Sequence, residues 1–471
     1  MDTFDAFVLE HEGDDTARLL LGRDKYPGID LDLAVNTIEA RRRLRAKVPE
    51  WYALPSLVYP TRLCAEQCSS TPTARYKALF AARAGEGMLI PLHAMPPGAR
   101  CPKSGVIRHG NQPSAALQGP DGTNDGTYGL DDGTYGQAQA YGQADNNRQE
   151  CRLGKPGTRI ADLTGGLGVD AWAFSEMFGE VLYNEADERL CDAARHNFAA
   201  LGLTNVKVQN RMVEPGKVRE ILGGFQPDVI YLDPARRAED GRKVFLLEDC
   251  RPDVKALLPE LLEAAPGVLL KLSPMADITM VLQRLSHVRE VHVVASGGEC
   301  KELLLLLERG YTGGHSITAV EDGTRLSWTP EEEAAAALRL PASAQLPRRL
   351  FEPGKALAKA GAFRLPCARF GLTKLGVHTH LYVADTLPEA LEPFGKCFDI
   401  QEVMPLDKRT LKEARKRWPR AEVTARNLPL GSDELRRRIG CASGGDVHLF
   451  GVRIDLPEGP ANFLIAARKS E

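Results

Sequence analysis

The chain lacks several things, and each lack narrows the field. It has no apolar run of about 18 residues, the length a helix needs to cross a bilayer, so no membrane-spanning segment is expected. Its ten cysteines include no CxxC pair, and the closest two are Cys64 and Cys68. That argues against a zinc ribbon or a disulfide frame and for reduced thiols; no metal is expected. The opening MDTFDAFVLEHEGDD is acidic and has no apolar signal core, so a cytoplasmic location is expected. Charge of one sign is also missing. The net charge is only −3, which excludes a wholesale polyanion binder but not a local basic surface.

At 471 residues the chain is too long for one ordinary core, and 43% hydrophobic with 26% charged residues is a soluble globular composition. Residues 1–95 read as a helical unit. In DLAVNTIEARRRLRAKV, Leu33, Ile38, Leu44 and Val48 mark one helix face, which Pro49 ends. Another helix follows EQCSS, capped at Ser69, Ser70 or Thr71, with Pro72 in its first turn. Residues 96–150 repeat DGTYG, have almost no branched apolar residues and read as a disordered linker.

From residue 151 to about 320, short apolar strands alternate with helices, and REVHVVAS with KELLLLLERG reads as a closing hairpin. Such a rhythm means a parallel sheet covered on both faces, an α/β domain. Residues 321–345 read as a connector. Residues 346–471 read as an α+β unit, with one helix over GKALAKAGAFRLPCARFG.

Two turns carry the chemistry. In IADLTGGLGVD the first strand ends at Asp162, and Thr164, Gly165, Gly166 and Gly168 precede a helix. Glycines there let backbone approach a ligand, and the helix N-terminus adds partial positive charge. GLGVDA also fits the dinucleotide fingerprint, and Glu185, ending the second strand, suits the ribose of either a dinucleotide or S-adenosylmethionine (SAM). Two residues favour SAM. Asp162, ahead of the glycines, would repel a pyrophosphate but suit a cationic ligand. Asp233, in DVIYLDPARR, ends the fourth strand and would face the same crevice.

The order Asp162-Leu-Thr-Gly-Gly-x-Gly, Asn184-Glu185, ARHN and Asp233-Pro234 resembles class I SAM-dependent methyltransferases. With EQCSSTPTARYKA, LKLSPMADI, GGECKELLLLL and RNLPLGSDELRRR, nearly the whole chain outside 96–150 is similar to a bacterial group of these enzymes with a C-terminal THUMP-like domain. The resemblance implies a Rossmann-like sheet of seven strands closed by an antiparallel hairpin. It implies SAM as cofactor, held by Asp162, Thr164, Gly165, Gly166, Gly168 and Glu185, with its adenine near Asn210, unless Asn210 is a turn residue. It implies RNA as partner.

Asp233 and the Pro234 carbonyl would hold an amine for in-line methyl transfer, so a base nitrogen in RNA is the expected target. Amine methyltransferases of this kind carry Asp/Asn-Pro-Pro, whereas this chain has Ala235 at the third position. LKLSPMADI has no cysteine nucleophile, which disfavours covalent attack on a pyrimidine ring. Arg236, Arg237 and Lys271 either hold substrate phosphates or are solvated charges. Lys408, Arg409, Lys412, Arg415, Lys416, Arg417, Arg420, Arg426, Arg436, Arg437 and Arg438 form a basic run, the footprint of an RNA surface or a solvated helix face. Arg75 and Lys77 would reach the crevice if the helical unit packs over it. Alternative readings are a catalytically weak SAM-fold RNA-binding module and a dinucleotide-dependent oxidoreductase; protein or DNA are alternative substrates.

Overall fold

A computed structural model describes residues 3–85, 155–236 and 250–470. The expected linker at 96–150 and Arg237 lie outside the described residues. No helix among those described is long and apolar enough to cross a membrane.

The N-terminal helices are α1 (Thr3–Glu10), α2 (Thr16–Leu21), α3 (Leu31–Lys47), α4 (Pro49–Tyr52), α5 (Arg62–Gln67) and α6 (Thr71–Gly85). Asp30 caps α3 by accepting from the Leu33 amide at 3.1 Å. Pro49 follows the end of α3 and opens α4, where its missing N–H costs nothing.

Next come β1 (Lys155–Asp162), α7 (Val169–Ser175), β2 (Phe178–Glu185), α8 (Glu188–Ala200), β3 (Val206–Asn210), α9 (Val218–Leu222) and β4 (Val229–Leu232). A short ladder, β5 (Ala235–Arg236) with β6 (Cys250–Arg251), precedes α10 (Val254–Ala264), β7 (Gly267–Leu272) and α11 (Ile278–Arg284). Then follow β8 (Val288–Ser296), β9 (Glu299–Glu308), β10 (Ser316–Glu321), β11 (Thr324–Trp328) and α12 (Pro330–Ala335).

The sheet order is β11-β10-β8-β9-β7-β4-β1-β2-β3. β1 to β4 and β7 run parallel, while β9 is antiparallel to both β7 and β8. The expected seven strands and closing hairpin are its core. β10 and β11 extend it to nine strands, and β11 falls in the stretch read as a connector. Strand order reverses at β1 and β4, so a crevice opens at their carboxyl ends.

The strands alternate between two apolar cores, as a period of two requires. Ile160, Tyr183, Tyr231, Leu269 and Leu304 join Trp51, Tyr59 and Phe80 of the N-terminal unit on one face. Ala161, Leu182, Ile230, Leu270 and Leu305 join Leu257 and Leu261 of α10 on the other.

The C-terminal unit contains β12 (Arg349–Pro353), α13 (Lys355–Lys359), α14 (Leu365–Phe370), β13 (Thr373–Gly376), β14 (Thr379–Ala384) and β15 (Gly395–Pro405). It ends with α15 (Lys408–Arg417), β16 (Glu422–Arg426), α16 (Ser432–Ile439), β17 (Val447–Leu456) and β18 (Gly459–Lys469). Its seven strands form one sheet, β13-β14-β12-β15-β18-β17-β16. The expected single helix is two, α13 and α14, broken around Gly361, whose φ of 82° suits only glycine. Phe351, Leu357, Leu365 and Tyr382 share the second core of the larger sheet.

Candidate active site

The crevice is a cleft of about 930 Å³ at the switch point. Both turns read from the sequence line it, and they are tied together. The Asp233 amide donates to Thr164 Oγ1 at 2.7 Å, and the Leu163 amide donates to the Tyr231 carbonyl at 3.1 Å.

The glycines of the first turn serve packing more than ligand approach. A Cβ on Gly165 would lie 2.1 Å from the Tyr183 ring, and one on Gly168 would lie 2.7 Å from Phe198. Gly166 is needed for its φ of 53°. The turn is fixed from below. Tyr183 Oη donates to the Gly166 carbonyl at 2.6 Å, and the buried Asn184 amide donates to the carbonyls of Leu163 and Arg211, both at 3.1 Å.

Asp162 differs from its expected position. It is fully buried and does not line the cleft. Its Oδ1 accepts from the Thr164 amide at 3.1 Å, so it braces the turn. Burial first, and then the neighbouring Asp170, push its carboxyl well above the usual carboxylate range, although the Thr164 hydrogen bond opposes this. Among the described residues its Oδ2 has no partner. A direct grip on a cationic ligand is therefore not its geometry.

Glu185 does line the cleft. Its Oε2 accepts from the Gly166 amide at 2.9 Å, and its Oε1 accepts from the Ala186 and Asp187 amides at 2.8 and 2.9 Å. The carboxylate is thus aimed by three backbone donors. Asn210 sits outside the cleft lining and donates to the carbonyls of Glu185 and Ala186 at 2.8 and 3.0 Å, the turn role of its two readings. The cleft wall beyond β3 is instead Arg211, Met212 and Val213.

At the second turn, Asp233, Pro234 and Ala235 line the cleft. Lys271 Nζ donates to Asp233 Oδ2 and forms an ion pair with it. Burial alone would lower the Lys271 ammonium, but Asp233, Glu302 and Asp170 more than offset this and raise it. Lys271 is therefore committed to Asp233 rather than to a substrate phosphate. Arg236 enters the β5–β6 ladder, whose other strand brings Arg251 to the cleft.

The N-terminal unit does pack over the crevice, though not through the residues expected. Arg75 turns away to Glu50 and Glu176, each at 3.2 Å. Lys77 is fully buried beneath the cleft and pairs with Glu302 at 3.0 Å and Asp170 at 3.2 Å. The wall itself is Cys64, Gln67, Cys68 and Ser69. The only sequence signal of the last three was the segment EQCSSTPTARYK; nothing local distinguished wall from pin.

Comparison with known proteins agrees with this geometry. Residues 350–391 match the family model of a ferredoxin-like domain, and residues 395–469 match that of a THUMP domain-like family. Two uncharacterized S-adenosylmethionine-dependent methyltransferases from strains of Mycobacterium tuberculosis are each 27% identical over 288 residues, covering 60% of this chain and 74% of theirs. A protein of Porphyromonas gingivalis W83, its crystal structure described as that of a "putative methyltransferase", is 30% identical, covering 99% of this chain and 98% of its own, with a TM-score of 0.74.

The chain belongs to this methyltransferase family. It is a class I SAM-dependent methyltransferase with a THUMP-like C-terminal domain, and SAM is its cofactor. The cleft suits that cofactor. Its carboxylate at Glu185 is preset by backbone donors, its glycine turn leaves the Gly166 backbone on the wall, and its volume exceeds that of a nucleoside.

Proposed function

We propose that this SAM-dependent methyltransferase methylates a base nitrogen in RNA, in the cytoplasm. The observation that carries the reading is the Asp233–Lys271 pair beside Pro234 on the cleft wall. Lys271 occupies Oδ2, which leaves Oδ1 as an acceptor for an amine N–H. With the Pro234 carbonyl as second acceptor, the two would hold an exocyclic or ring amine with its lone pair directed along the cleft.

SAM supplies an electrophilic methyl group on a sulfonium. Glu185 and the Gly166 backbone would hold its ribose end, with Met212 and Val213 beside its adenine. Asp233 would orient the attacking amine and stabilise the positive charge that develops on it. Thr164, through the Asp233 amide, keeps acceptor and cofactor turn in register.

The RNA part of the reading is supported by the C-terminal unit. α15 and α16 pack on one face of its sheet through Ala414, Leu435 and Ile439. Among the described residues Lys408, Lys412, Arg415, Lys416, Arg420 and Arg437 make no ion pair and are exposed. Arg417, Arg426, Arg436 and Arg438 are instead paired with carboxylates. An uncompensated cationic face of this kind fits a phosphate backbone. A reducing compartment suits the eight described cysteines, all unpaired.

The test is transfer of labelled methyl from SAM to bulk RNA from cells lacking the protein, with wild type and Asp233→Ala. Label entering RNA with wild type alone is expected. No label in RNA while SAM still binds would overturn the RNA substrate.

A further inference from the structure

One wall of the cleft does not come from the catalytic sheet. Gln67, the last residue of α5, and Cys68 and Ser69, which follow it, face the same space as Asp233 and Lys271. This short stretch is held with unusual firmness for a loop. Ser69 Oγ donates to Asp170 Oδ2 at 3.0 Å and accepts from Lys77 Nζ at 2.8 Å. Tyr231 Oη donates to the same Asp170 oxygen at 2.9 Å. Lys77 Nζ also donates to both oxygens of Glu302, at 3.1 and 3.0 Å. The stretch is thereby fastened to α7, β4 and β9 at once. Burying an ammonium with two carboxylates is a poor way to gain stability, because desolvation consumes most of the attraction. It is a good way to fix a geometry.

Within the fixed stretch, neighbouring side chains are disposed differently. Cys68 Sγ turns back to the Ala65 carbonyl at 3.4 Å, and burial pushes its thiol up to about 11, so it is no nucleophile. Gln67 is exposed, lines the cleft, and has no hydrogen-bond partner among the described residues. It is a neutral donor and acceptor, two residues from the anchored Ser69, on the wall of the cleft that also carries Asp233 and Lys271.

We infer that Gln67 reads the substrate and that the N-terminal unit is the specificity module of the active site. The inference rests on the methyltransferase reading above. A carboxamide sets an N–H donor beside a carbonyl acceptor and pairs two-fold with a base edge that sets an acceptor beside a donor; of the bases that present such an edge, adenine, cytosine and guanine also offer an exocyclic amine for Asp233, and uracil does not. The target is therefore an amine-bearing base, its amine held by Asp233 and the rest of its hydrogen-bonding edge read by Gln67.

The experiment uses the full chain, as wild type, Gln67→Ala and Gln67→Glu, with melting temperatures to confirm folding. Affinity for the SAM analogue sinefungin is measured by calorimetry. Methyl transfer is followed into the RNA, DNA and protein fractions of cells lacking the protein, with kcat and KM separated, and labelled acceptor is digested to nucleosides. Expected are a methylated adenosine, cytidine or guanosine, a KM for the accepting fraction raised about tenfold or more in both variants, and sinefungin affinity within about twofold of wild type. Unchanged KM in Gln67→Ala, or a methylated uridine, would overturn the inference. Label entering DNA alone would remove the RNA reading yet leave the role of Gln67 to be decided on that acceptor by the same comparison. Label entering protein alone, or no fraction, would overturn both.

Discussion

Single side chains decide the chemistry, and three substitutions separate their roles. Glu185→Ala is expected to weaken SAM binding about tenfold or more, since it removes a carboxylate aimed by three backbone donors; calorimetry reads it directly. Lys271→Met is expected to leave SAM binding unchanged and to lower kcat about tenfold or more, because Asp233 loses the cation that holds it. Were Lys271 a phosphate contact instead, KM would rise with kcat intact. Gly165→Ala is expected to cost about 1–3 kcal/mol by chemical denaturation, as its methyl must displace the Tyr183 ring. The place of Glu185, Thr164, Asp233 and Pro234 on the cleft wall was legible in the sequence, because strand ends at a switch point have few alternatives. Asp162 was legible as a carboxylate but not as a buried one; depth depends on the tilt of the turn, which no local pattern encodes. Ser69 and Gln67 were illegible, because their meaning comes from Asp170, Glu302 and Asp233 far along the chain.

At the scale of elements, α6 is docked to β8 by a polar chain. Tyr76 Oη donates to His292 Nδ1 at 2.7 Å, and His292 Nε2 donates to Glu290 at 3.0 Å. Arg83 closes it on Glu290 at 2.6 Å, and Phe80 stacks on the His292 ring at 3.9 Å. Burial drives His292 below its ordinary value, so its neutral form belongs to the folded state. Burial alone would raise Glu290, but the His292 hydrogen bond and the Arg83 guanidinium hold it at about 2. Both groups are depressed in the fold, so each stabilises at high pH. The His292 contribution is full above about pH 6.5 and declines below it; that of Glu290 is full above about pH 4.5 and is lost towards pH 2. Amide exchange in α6, corrected for intrinsic rate, is expected to accelerate as pH falls below 6.5 and to do so less in His292→Gln. Protection independent of pH in wild type would contradict this docking. The strands β1 to β4 and β7 to β9 were legible because buried strands read as apolar runs, whereas the two-residue β5 and β6 were not read. β12 to β14 were not predicted, since these short segments mix polar and apolar residues without a clean period.

For the whole molecule, the reach of the C-terminal unit is testable. Changing Lys408, Lys412, Lys416 and Arg437 together to Glu is expected to weaken binding of the acceptor RNA about tenfold or more. It should also flatten the salt dependence by roughly 0.7 in log–log slope for each single-strand phosphate that is no longer neutralised. Sinefungin affinity should not change. Loss of sinefungin binding would instead mean that the substitutions had damaged the fold.

The two apolar cores of the catalytic sheet have a temporal consequence. Trp51, Tyr59 and Phe80 are buried against Phe174, Leu304 and Val320, which are synthesised far later. A growing chain therefore presents its first helices long before their cover exists. The enzyme cannot mature in the order in which it is made. Its earliest apolar surface must be shielded until the sheet is complete, and this nascent chain is expected to be a strong client of ribosome-associated chaperones.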